Sequence, residues 1–185
     1  MKNLLILLFA FMILAGLQCP NNSDPPIPSA PELTLPAITT KGLNTVGCKI
    51  DGKVWVPYSN TSVPFLYAGV ARNNNWTFEF GAEQRERADF TLNMFEIYIK
   101  PLNKDTLFIL TNDRKGNIAY YRPIDTMRAT TYRTDQSLNN GYVRIIRFDS
   151  VQQIIAGTFQ FTAIDSVTNI KHEITDGRFD LRFNY

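Results

Sequence analysis

Ile154-Ile155-Ala156-Gly157-Thr158-Phe159-Gln160-Phe161-Thr162-Ala163-Ile164 is apolar on both alternating phases for part of its length, as a central strand would be. Shortly after it, Lys171 to Phe183 ends in strict alternation. Phe179, Leu181 and Phe183 point one way, and Arg178, Asp180 and Arg182 the other. Successive Cβ atoms of a strand lie on opposite faces, so this period of two predicts a half-buried strand.

The same grammar extends back towards residue 44. Thr45 to Ile50 and Lys53 to Val56 flank Asp51-Gly52, a dipeptide suited to a two-residue hairpin turn because Gly accepts positive φ cheaply. Trp76, Phe78 and Phe80 alternate with Thr77 and Glu79. Phe90, Leu92 and Met94 keep one phase and Phe95, Ile97 and Ile99 take the other, a slip that predicts a bulge near Met94-Phe95. Further strands are expected at Thr106–Leu110, Ile118–Tyr121 and Tyr142–Phe148. Only Ala82–Ala88 has helical character, over less than two turns. No interval accommodates repeated helical crossovers, so the sheet is expected to be antiparallel. The expectation is an all-β domain over 44–185, an antiparallel sandwich of about nine to ten strands, with a small closed lipocalin-like barrel as the alternative.

Composition fits one such domain plus a tail. Of 185 residues, 44% are apolar and 19% charged, which excludes wholesale disorder. Nineteen basic against 17 acidic residues is too even for a dedicated nucleic-acid binder. One histidine (His172) and two cysteines leave little material for metal sites, and no cofactor is expected.

The N-terminal residues carry an address. Met1-Lys2-Asn3 precedes an uncharged apolar run, Leu4 to Leu17, which is shorter than the roughly 20 residues of a spanning helix and fits the core of an export signal. Leu14-Ala15-Gly16-Leu17-Gln18-Cys19 followed by a polar, Pro-rich stretch resembles a bacterial lipoprotein signal. The resemblance implies a signal peptide over 1–18 and Cys19 as the acylated N-terminus; ordinary secretion with cleavage near Ala15 or Gly16 is the rival. Gly16 and Gln18 depart from the usual residues at those positions. Residues 19–43 hold most of the ten prolines and few large side chains, and read as a tether holding the domain off the lipid; a packed arm is the alternative.

Three ordered motifs carry a second resemblance. Asn44-Thr45-Val46-Gly47-Cys48-Lys49-Ile50-Asp51-Gly52-Lys53-Val54-Trp55-Val56-Pro57, Ile155 to Ala163, and Ile174-Thr175-Asp176-Gly177-Arg178-Phe179-Asp180 resemble a domain-of-unknown-function family of exported Bacteroidota lipoproteins. The resemblance implies a cell-envelope location, in the outer membrane, with attachment through the N-terminal lipid, and no activity to carry over. The motif residues also have structural explanations. Trp55 and Phe159 read as core anchors, Gly157 and Gly177 as bulges or close approaches, Asp176-Gly177 as a turn, and Cys48 as a buried thiol.

Candidate chemistry is thin. No CxxC, HExxH, GxSxG or phosphate-cradling loop is present. Glu79 with Glu83 or Glu96 forms the carboxylate pairs a glycoside hydrolase would need, though exposed strand glutamates are the commoner case. Late arginines interleave with tyrosines, so Trp76, Tyr120, Tyr121, Tyr132 and Tyr142 are candidate ring platforms for a glycan, while nearby aspartates offer cross-strand pairing instead. Four triplets of Asp, hydroxyl residue and apolar residue, centred on Thr106, Thr126, Ser150 and Ser166, resemble the O-glycosylation acceptor of exported Bacteroidota proteins; turn formation by the aspartate is the competing reading. The leading expectation is a non-enzymatic structural or interaction module, then a carbohydrate or small-ligand binder partnered by a glycan or envelope protein, then a carboxylate-based hydrolase.

Overall fold

The computed structural model describes residues 33–59, 66–72, 76–85, 92–100, 102, 106–111, 117–125, 128–135 and 141–185. Leu4–Leu17, Cys19, Phe90 and Thr126 lie outside them. Among the described residues thirteen strands follow in chain order: β1 (Thr45–Ile50), β2 (Lys53–Trp55), β3 (Tyr58–Ser59), β4 (Leu66–Arg72), β5 (Trp76–Arg85), β6 (Leu92–Ile99), β7 (Leu107–Ile109), β8 (Ile118–Asp125), β9 (Arg128–Ala129), β10 (Tyr132–Thr134), β11 (Tyr142–Asp149), β12 (Ile154–Ile164) and β13 (Lys171–Arg182). Among the described residues no helix is long and apolar enough to cross a membrane.

The hairpin turn forms as its two residues dictate, with Asp51 at φ 51° and Gly52 at φ 80°. β12 organises the rest. β13 pairs along one side of it; on the other, β11 takes residues 154–160 and β10 residues 163–164. From β10 the ladder continues through β8, β6 and β5, all antiparallel, and β4 adds beyond β5. β1 and β2 lie beyond β13, and β3 adds a short parallel pair to the end of β5. The sheet curls far enough that β4 meets the second residue after β13: Val70 N–H donates to Asn184 O at 2.9 Å, and Asn184 N–H to Ala68 O at 3.3 Å. The expected all-β antiparallel class holds, as a curled half-barrel intermediate between the two architectures considered.

Aromatic rings fill its interior. Phe80 on β5 lies 4.9 Å from Phe179 and 6.0 Å from Phe159, and Phe95 on β6 lies 5.4 Å from Phe159, between ring centroids. β5 and β12 are four ladder steps apart, so these contacts cross the curl. Phe78, Phe80, Phe95 and Phe159 are essentially inaccessible to water, as is Cys48, whose thiol burial pushes well above its ordinary range. Trp55, also buried, packs 4.8 Å from Phe95.

Four local expectations are corrected. Ala82–Arg85 continues β5, because its pairing with β6 and β4 overrides a weak helical preference. The β6 ladder runs unbroken through Met94-Phe95: Met94 sits on the outer face opposite Glu83 and Arg122 and is covered there, so the apparent slip is burial on both faces. The bulges fall elsewhere. One extra residue stands in β11 near Ile146 and another in β13 at Thr175-Asp176, with Asp176 at φ 51°. Asp176-Gly177 is therefore a bulge inside a strand and not a turn.

Asp180 is the fourth correction. It points away from the aromatic core, as the alternation predicts, yet is 1% exposed. What covers it is the stretch read as the end of the tether. Thr39 Oγ1 donates to Asp180 Oδ2 at 2.6 Å, Lys41 N–H to the same oxygen at 2.9 Å, and Gly42 N–H to Oδ1 at 2.6 Å. Arg147 Nη1 donates to Thr40 O at 2.6 Å and Arg178 Nη1 to Pro36 O at 3.4 Å. Residues 36–42 thus form an arm along β13, inside the compact unit that starts at Leu33.

Candidate functional site

Directly opposed residues on adjacent strands share a sheet face. Across β4, β5, β6, β8 and β10 one row on the outer face reads Tyr67, Gly81, Glu96, Tyr120, Arg133, and the next reads Gly69, Glu79, Tyr98, Ile118. Between these rows lies a groove of about 410 Å³ lined by Tyr67, Glu79, Glu96, Tyr98, Ile118 and Tyr120.

Gly81 makes the groove. A Cβ there would strike the Tyr67 ring, so only a glycine lets that ring lie across β5. In this pose Tyr67 Oη donates to Glu96 Oε1 at 2.8 Å, and Arg122 Nη2 approaches Glu96 Oε2 at 3.4 Å. Burial, the hydrogen bond to Glu96 and the charges of Glu96, Glu79 and Glu83 all push the Tyr67 phenol far up, so it remains a neutral donor. Gly81→Ala is expected to displace the ring at a cost of about 1–2 kcal/mol and to return the Tyr67 ionisation towards the ordinary value of about 10. Urea unfolding and a UV-monitored tyrosine titration check both; an unchanged titration would mean the ring had not moved.

The sequence-derived candidates divide. Tyr120 lines the groove, with the Arg133 guanidinium 5.8 Å from its ring centroid. Tyr121 and Tyr132 are buried in a separate cluster, their rings 5.1 and 4.5 Å from that of His172. His172 Nδ1 lies 2.6 Å from Asp51 Oδ2, and Glu173 N–H donates to Asp51 Oδ1, which fastens the β1–β2 turn to β13. Burial raises the Asp51 carboxyl, but the bonds from His172 and Glu173 outweigh it and hold it below the usual range. Burial, then the Asp51 charge, pushes the Tyr121 phenol up to about 12. Trp76 packs edge-on against Phe148 at 5.6 Å and near Tyr185 at 6.0 Å. Tyr142 stands on the outer face of β11 beside Gln160 and Ile109, away from the groove. Tyr67 and Tyr98 escaped the sequence reading, since strand register alone brings them to Tyr120.

The acceptor triplets differ in setting. Asp149 Oδ1 accepts from the N–H groups of Val151 and Gln152, and Asp165 Oδ1 from Val167 N–H, so both aspartates build turns. Ser150 and Ser166 are exposed between them, and Thr106 is part-buried. Among the described residues no group of three or more His, Cys, Asp or Glu is placed to hold a metal ion.

Fold and groove define a class, an all-β domain with an aromatic and acidic outer face. Compared with protein-family models, with curated proteins and with solved structures, the chain gives no match in any of the three.

Proposed function

We propose that the chain is a cell-envelope lipoprotein whose β domain binds a glycan in the groove between Tyr67, Tyr98 and Tyr120. The observation that carries this reading is the gathering of three tyrosines and two carboxylates, from four strands, on one open face. Tyrosine rings receive the apolar faces of sugar rings, and carboxylate and phenol oxygens accept and donate to their hydroxyls. Glu96 is engaged by both Tyr67 and Arg122, an arrangement that favours positioning over proton transfer, so binding is preferred to hydrolysis. Lipid attachment at Cys19, the outer-membrane location and membership of the exported lipoprotein family remain parts of the proposal resting on the sequence. Several acyl chains at about 0.8 kcal/mol per buried methylene would hold the chain without help from its balanced charge.

Two measurements test it. On a glycan array and by calorimetry, Tyr98→Ala is expected to weaken binding about five- to tenfold, the equivalent of about 1–1.4 kcal/mol from one ring; an array with no binder removes the glycan reading. Cys19→Ala is expected to move the chain from the membrane to the soluble fraction, and a variant that stays with the membrane removes the anchor. A protein-interaction role is the second reading, favoured by the exposed Leu107, Ile109 and Ile146 around β7 and β11.

A further inference from the structure

We infer that the groove between Tyr67, Tyr98 and Tyr120 selects glycans bearing a free amino group over N-acetylated or acidic ones. This rests on the glycan reading and adds the charge of the ligand.

The two carboxylates of the groove are unequally partnered. Glu96 is satisfied by Tyr67 and Arg122. Glu79, exposed and lining the same groove, makes no hydrogen bond or ion pair among the described residues. Its side chain lies along Gly69, with Oε1 3.8 Å from where a Cβ would stand, so no neighbouring side chain on β4 crowds it. Arg122 is at Glu96 and Arg133 at the Tyr120 ring, and the exposed Lys100, two residues beyond Tyr98, makes no ion pair with Glu79 among the described residues. That leaves Tyr98, directly opposite Glu79 on β6, as the open ring, because no other ring or cation packs on it among the described residues. An ammonium group next to a sugar face meets both halves of this pair, the carboxylate through its charge and the tyrosine through the negative face of its ring. A uronate would instead place its carboxylate against Glu79, with Glu96 beside it, and like charges at this distance repel. Burial first and then the bond to Glu96 raise the Tyr67 phenol, and the charges of Glu96, Glu79 and Glu83 act in the same direction.

Three probes decide the matter with the full chain in detergent micelles: a glucosamine oligomer, the same oligomer N-acetylated, and a galacturonic acid oligomer of equal length. By calorimetry at low salt and a pH where the amine is protonated, the glucosamine oligomer is expected to bind about fivefold tighter than its N-acetylated form, the scale of one exposed ion pair. The uronate should bind weakest, and added salt should shrink the differences. Glu79→Gln is expected to erase the preference for the amine, bringing the free and N-acetylated oligomers to about the same affinity. Equal affinities for the first two probes, tighter binding of the uronate, or a preference that survives Glu79→Gln would overturn the inference and leave the glycan reading standing. If none of the three binds, the inference falls, and the glycan reading falls with it only where the array also shows no binder.

Discussion

Asp180→Ala is expected to release the 36–42 arm and lower the stability of the domain by about 3–4 kcal/mol, the scale of losing several hydrogen bonds to one buried charge. Three donors converge on this carboxylate within 2.9 Å, and two of them are backbone N–H groups that no other side chain satisfies among the described residues. Removing the acceptor leaves those donors unpaired unless the arm lifts into water, so lifting is the expected response. Trypsin reports it directly. Lys41 lies in the clamped segment, and cleavage after it should be slow in the parent and fast in the variant. Urea unfolding gives the energy. A loss below about 1 kcal/mol with no new cleavage at Lys41 would show that the arm is held by something else.

Acid should mimic the substitution. Burial raises the Asp180 carboxyl, but the donors from Thr39, Lys41, Gly42 and Leu43 outweigh it, so the folded value lies below the unfolded one of about 3.9. With the folded value depressed, the unfolded chain takes up a proton first. The stabilisation is complete above the unfolded value and is lost as the pH falls through the folded one. Asp51, Asp149, Asp165 and Asp176 are shifted the same way, so acid loss is shared among five carboxylates. Asp180→Asn keeps the shape without the titration, and its unfolding curve should be flatter against acid than that of the parent.

The arm also marks a limit of the sequence. Alternation in β13 places Asp180 on the outer face correctly, yet gives no sign of what covers that face, because a Pro-rich segment looks the same whether solvated or docked. The strand pattern itself was legible wherever polar residues mark one face, as at Phe78 and Phe80 or Phe179 and Leu181. It misled at Met94, where both faces are covered, and at Ala82–Arg85, where cross-strand pairing prevails over local preference. The bulge in β11 does have a signal in Ile145-Ile146, two adjacent apolar residues of which the second is 40% exposed. β4, with its small residues Ala68, Gly69 and Ala71, carries too little hydrophobic contrast to announce a strand. The groove was the least legible feature. Tyr120 was readable as an outward ring, but its companions Tyr67 and Tyr98 lie three and one strands away, and nothing short of the register sets them beside it.

Phe159→Ala is expected to be the most damaging single change, costing about 3–5 kcal/mol. Its ring touches Phe80 and Phe95 from across the curl and Phe161 and Phe179 from its own side, at centroid distances of 5.4–6.4 Å. Truncation therefore loses burial and also two of the ring contacts that join the two halves of the sheet. Gly177 supplies an internal control. A Cβ at that position would sit 2.5 Å from Phe159 Cδ2, Cε2 and O, so Gly177→Ala alone should be costly, at the upper end of about 1–3 kcal/mol or beyond, because the carbonyl belongs to a paired strand and cannot swing aside. In the Phe159→Ala background the ring part of that clash is gone and the carbonyl part remains. The double variant should then be more stable than the sum of the singles predicts, with a coupling of about 0.5–3 kcal/mol, as neighbours sharing one space show. Additive losses would mean that the ring does not occupy the space over Gly177, and the filled interior of this half-barrel would have to be redrawn.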